Sequence, residues 1–143
     1  MRPSSSSPAE FQFHTQLTYN KIMKASFVEL PPFKRTRKDY MDDEAYRLLQ
    51  FELMGNPTAG DVMEGTGGLR KLRQADPPRG KGKRGGLRVI FYWWSGGDQF
   101  WLFTLYDKDQ ADDLTPAQRK VLKQLLKNEL ENRQTHDGES HAQ

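Results

Sequence analysis

The chain has 143 residues and a formal net charge of only +3. A chain of this length is large enough to bury one core of its own and reads as a single domain. It contains no cysteine, which excludes disulfides and thiolate chemistry. No apolar run approaches the ~20 residues of a membrane span, so a cytoplasmic protein with no membrane contact is expected.

The first stretch, "MRPSSSSPAE", is rich in Ser and Pro, has no apolar segment behind it, and does not read as a secretory signal. "KASFVEL" (24–30) reads as a short strand. Pro31 and Pro32 then open a helix, where a missing N–H costs little. In "MDDEAYRLLQFELMGNP" the acids Asp42, Asp43 and Glu44 mark the first turn of a second helix. Ala45, Leu48, Leu49 and Leu53 form its apolar face, and Gly55-Asn56-Pro57 stops it. "AGDVMEGTGG" reads as a connector.

"LRKLRQ" (69–74) reads as a strand with Lys71 and Arg73 on one face, because side chains repeat every two residues. "GLRVIFYWW" and "QFWLFTLY" are apolar on both faces, which places them in the middle of a covered sheet. The short turn "SGGD" (95–98) joins them as an antiparallel hairpin. "TPAQ" (115–118) is a capping box with Pro at the first helical position. The helix it opens carries Ala117, Val121, Leu122, Leu125 and Leu126 on one stripe. "QTHDGESHAQ" is polar and without period and reads as a disordered tail. The order β-α-α-β-β-β-α implies an α+β fold, with helices packed on a small sheet that is mostly antiparallel.

The charge is uneven. Between Leu69 and Arg88 there are eight cations (Arg70, Lys71, Arg73, Arg79, Lys81, Lys83, Arg84, Arg88) and one anion, Asp76, a balance of +7 that leaves −4 for the rest. A basic patch on a mildly acidic body suits a phosphate-bearing partner. Taken alone, "PRGKGKRGG" is most often a solvated hairpin loop, and alternating cations are usually the wet face of a strand. Trp93, Trp94, Phe100, Trp101 and Phe103 read as core. "YDKDQADDL" lacks the glycine and terminal glutamate of a calcium loop. It reads as a solvated turn, and no metal or other cofactor is expected.

Four blocks, "DDEAYRLLQFELMGNP", "GDVMEGTGGLRKLR", "GKGKRGGLRVIFYW" and "LFTLYDKDQADDLTPAQRKVLKQLL", resemble the RelE/ParE superfamily of bacterial toxins, and its HigB-type branch in particular. The resemblance spans Met23 to about Arg133. It sets a toxin-like domain at 23–133 between an N-terminal extension (1–22), expected to be disordered, and the tail (134–143), with Met23 a candidate natural start.

It implies the toxin of a type II toxin–antitoxin system, a ribosome-dependent mRNA endonuclease that inhibits translation without a metal. The alternative it carries is a non-catalytic, ParE-like inhibitor of DNA gyrase. The partners implied are the ribosome, mRNA and a cognate antitoxin, a helix-turn-helix protein of HigA type.

Metal-free RNA cleavage needs a base for the 2′-OH, cations for the phosphate and an acid for the leaving oxygen. His14, His136 and His141 all fall in the tails, so this enzyme would work without histidine, as RelE-like enzymes do. By resemblance, Lys71 and Arg73 match the family's two alternating strand cations. Arg88 matches the arginine early in the next strand, and Lys108 the basic residue after the last strand. Lys71, crowded by cations, would be the base, and Arg73 and Arg88 the phosphate clamps. Arg70, Arg79, Lys81, Lys83 and Arg84 would add RNA-backbone contacts. RelE has a tyrosine after its last strand and "DKDQADDLTPAQ" has none, so Tyr92 or Tyr106 would stack on a base instead.

Overall fold

A computed structural model describes residues 25–75, 86–108 and 113–142, with the side chains of the last helix described as far as Arg133. The elements are β1 (Ser26–Glu29), α1 (Pro31–Tyr40), α2 (Asp43–Gly55), β2 (Asp61–Val62), β3 (Arg70–Gln74), β4 (Leu87–Trp94), β5 (Gln99–Asp107) and α3 (Pro116–Ala142). The strands form one five-stranded sheet in the order β1-β5-β4-β3-β2. Only β1, beside β5, runs parallel to its neighbour; the other pairs are antiparallel. The fold is α+β, with β4 and β5 at its centre as their two-sided apolar pattern requires.

The helix ends follow local chemistry. Pro31 and Pro32 open α1. The Asp42 carboxylate caps α2 by accepting from the Ala45 N–H at 2.8 Å. The capping box of α3 closes both ways: the Gln118 N–H donates to Thr115 Oγ1 at 3.1 Å, and the Thr115 N–H to Gln118 Oε1 at 2.8 Å.

Two sequence expectations need correction. The connector contains a strand, β2, paired with Lys71 and Arg70. Leu48 is 58% exposed and Val121 60% exposed; both flank the buried i, i+4 rows of their helices rather than belonging to them. α3 itself runs on past its apolar stripe to Ala142. Loss of apolar period ends a packed stripe but not a helix, since each added residue adds one backbone hydrogen bond to an existing nucleus.

Each sheet face has its own core. Phe33 of α1 and Leu49 and Leu53 of α2 pack with Leu72, Leu87, Val89, Phe91, Phe100, Leu102 and Leu105 on one face. Leu122 and Leu126 of α3 pack with Leu69, Ile90, Trp101, Phe103 and Tyr106 on the other. Along β5 the alternation changes phase. The register shifts between Ile90 and Phe91, so that Ile90 pairs with Thr104 and Phe91 with Leu102. Phe103 is the extra residue of a β-bulge. Before the bulge, odd-numbered Trp101 faces α3; after it, even-numbered Tyr106 does.

Candidate functional site

Cross-strand partners share a sheet face, and the register therefore assembles the site. Arg73 lies opposite Arg88, and Arg88 opposite Tyr106. Lys71 lies opposite Ile90 on one side and Asp61 of β2 on the other. All of these are on the α3 face. A cleft of about 340 Å³ is lined by Asp61, Val62, Met63, Glu64, Lys71, Arg73 and Arg119.

The floor of the cleft depends on the connector. The Thr66 hydroxyl donates to Met63 O at 2.7 Å and accepts from the Leu69 N–H at 3.1 Å, closing the loop before β3. Gly60 has φ +82°, and a Cβ there would overlap the carbonyl oxygen of Lys71. Only glycine permits that approach.

Asp113, just before α3, lies between two cations. Its Oδ1 is 3.5 Å from Lys71 Nζ, and its Oδ2 is 2.7 Å from the Arg119 guanidinium. Arg119 also donates to Glu64 O at 3.0 Å. Burial pushes the Asp113 carboxyl up, but the Leu114 N–H, Lys71 and Arg119 outweigh it and hold it below the usual carboxylate range. The cations around Lys71 are thus joined by one carboxylate, its ion-pair partner Asp113.

Tyr106 is 9% exposed, and its hydroxyl has no hydrogen-bond partner among the described residues. Burial first, and then the charge of Asp113, push its pKa up to about 12 against the pull of Arg88 and Arg119. Asp113 acts on it first through its charge and least through a hydrogen bond, which falls short of full geometry.

The other sequence candidates fall in several places. Arg88 is on the right face but only 4% exposed, with its guanidinium donating to Leu87 O at 3.3 Å. It sits beneath the cleft rather than at its surface. Arg70 is on the opposite face, across from Phe91, and its guanidinium donates to Thr58 O at 2.9 Å, tying down the connector. Lys108 lies one residue beyond β5, its N–H bonded to Gly86 O at 3.2 Å. Tyr92 is on the α3 face but packs on Trp101, ring centroids 5.5 Å apart. Beyond it, Trp94 and Trp101 pack together beneath the Arg133 guanidinium. Arg79, Lys81, Lys83 and Arg84 lie outside the described residues.

Four site residues, Asp61, Glu64, Asp113 and Arg119, have no counterpart among the sequence candidates. The capping box "TPAQ" carried the signal for Arg119, since it fixes residue 119 in the first turn of α3. Asp113 is hidden in an acidic run whose composition resembles any solvated turn.

No family model matches the sequence. Among solved structures, the chain is similar to an arginine-to-alanine double mutant of the Escherichia coli toxin RelE in its free state. The identity is 12%, the match covers 69% of this chain and 96% of that one, and the TM-score is 0.45. No helix among the described residues is long and apolar enough to cross a membrane.

Proposed function

We propose that this chain is the toxin of a type II toxin–antitoxin pair of HigB type, and that it cleaves mRNA on the ribosome without a metal. The observation that carries the reading is convergence: Lys71 and Arg73 from β3 and Arg119 from α3 line one cleft, with Arg88 and Tyr106 on the same sheet face. Cations held by separate rigid elements are preorganised for the charge that builds on a phosphate, and such a donor is typically worth roughly a hundred- to thousandfold in rate.

Within this reading Lys71 stabilises charge rather than acting as the base. The carboxylates of Asp61, directly across from it, and Glu64 are placed in the same cleft to accept the 2′-OH proton. Arg73 and Arg119 hold the backbone, and Arg88 contributes its field from below. Lys108, at the end of the sheet beside Gly86, adds to the positive potential, and Tyr92 at the opposite end of β4 belongs to the packing. Arg79, Lys81, Lys83 and Arg84 would supply salt-dependent, sequence-independent affinity for the ribosome. A chain with this activity would arrest its own cell, so a co-expressed antitoxin completes the proposal.

The test is to induce the chain alone and follow protein and DNA synthesis together. Translation should fail first, with mRNA cut at ribosomes. Replication failing first, with translation intact, would replace this reading by gyrase inhibition. The neighbouring gene should restore growth and its product should co-purify; a harmless chain with no such partner would end the toxin reading.

A further inference from the structure

We infer that Lys71 and Arg119 form an oxyanion seat for a phosphate of the RNA backbone, and that Asp113 occupies this seat in the free protein as an intramolecular competitor. The inference rests on the function proposed above.

Two cations from different elements meet on one carboxylate: Lys71 at 3.5 Å on Oδ1, and Arg119 at 2.7 Å on Oδ2. A phosphodiester presents two non-bridging oxygens in a similar fork, and a guanidinium that takes one group takes the other. Arg119 keeps a second bond to Glu64 O at 3.0 Å, so its direction remains set when Asp113 leaves. Asp113 itself is held lightly. Its side chain is 44% exposed, and its other bond is to the adjacent Leu114 N–H, at 2.8 Å.

An independent observation says that a carboxylate does not complete the seat. Buried hydroxyls are nearly always hydrogen-bonded, and leaving one unpaired costs stability. The Tyr106 hydroxyl is buried and unpartnered among the described residues, and Asp113, Arg88 and Arg119 are the charges that act on it. The site therefore has a donor that Asp113 does not satisfy in full. A tetrahedral oxyanion has more oxygens than a planar carboxylate, so it can engage Lys71, Arg119 and Tyr106 together. RNA must displace Asp113 to bind, and the acidic residue lowers affinity for any RNA that binds weakly.

The experiment uses the full chain and two probes, a 2′-O-methyl RNA oligonucleotide that cannot be cleaved and inorganic phosphate. Asp113→Asn keeps the size of the side chain and an acceptor for Leu114 but removes the charge. It should bind both probes about two- to fivefold tighter than wild type, the range expected for releasing an exposed ion pair. Arg119→Gln should weaken both, and in that background Asp113→Asn should give no gain. Asp113→Ser serves as a second variant should the first prove unstable. Unchanged or weaker binding of both probes by the Asp113 variants would overturn the seat. Tighter binding of phosphate without binding of RNA would keep the seat and overturn the RNA reading beneath it.

Discussion

The two faces of the sheet are built from the same strands and do different work. On the α1/α2 face most side chains of β3, β4 and β5 are apolar; Asp107 is a buried carboxylate at one end, Arg70 reaches Thr58 O in the connector, and other polar groups reach α2. Gln74 donates to Glu52 at 2.6 Å and Glu29 accepts from the Tyr46 hydroxyl at 2.8 Å. On the α3 face the hairpin end is equally apolar, with Trp94 and Trp101 beneath Arg133. The other end carries Lys71, Arg73, Arg88, a buried hydroxyl and a carboxylate between two cations. One face is closed by packing; the other is closed for half its length and charged for the rest. Stability and chemistry are thus separated by sheet face rather than along the chain.

That separation can be broken from either side. Phe33→Ala, at a fully buried site on the closed face, should cost about 3–5 kcal/mol. Denaturant unfolding would show it, and activity at low temperature should survive. Lys71→Ala, on the charged face, should do the reverse. It should lower growth arrest and RNA cleavage by roughly a hundredfold or more and move stability by less than about 1 kcal/mol. A large stability loss with activity retained would merge the two faces again.

Alkaline titration sharpens the contrast. A tyrosine held at about 12 in the fold and near its ordinary 10 when unfolded gives full stability below pH 10. It loses stability on the order of 2 kcal/mol as the pH rises from 10 to 12. Tyr46, also raised by burial, adds in the same direction on the closed face. Tyr106→Phe should therefore remove part of the alkaline slope and leave the rest. The smallest effect should come from Thr115→Ala, which removes the cap that sets where α3 begins. About 1 kcal/mol is expected, read by thermal unfolding, with a further loss of RNA affinity because Arg119 is in the turn that Thr115 fixes.

The elements were legible because their signals are local. Proline at helix starts, the capping box, period-two alternation at Lys71 and Arg73, and apolar runs on both faces of β4 and β5 each need only a few neighbouring residues. What escaped depends on distant partners. β2 is two residues long and exists because β3 pairs with it. Arg70 reads as one more cation of a basic run, and only the fold places it on the far face. The pairing of Asp113 with Lys71 joins residues far apart in sequence, and an acidic residue in a polar turn carries no mark of where it will lie. The burial of Arg88 escaped for the same reason.

The bulge at Phe103 has a consequence for how this chain tolerates change in length. Before it, β5 is read by the sheet in one frame, and after it in the other, so the single extra residue acts as a frameshift written in backbone. Deleting it would close the ladder into a regular register and leave every downstream side chain on its own side. Leu105 would still lie opposite Val89, and Tyr106 opposite Arg88. Substitutions along β5 therefore test one side chain each, and the loss of the residue at position 103 would remove the bulge without putting any of the others on the wrong page.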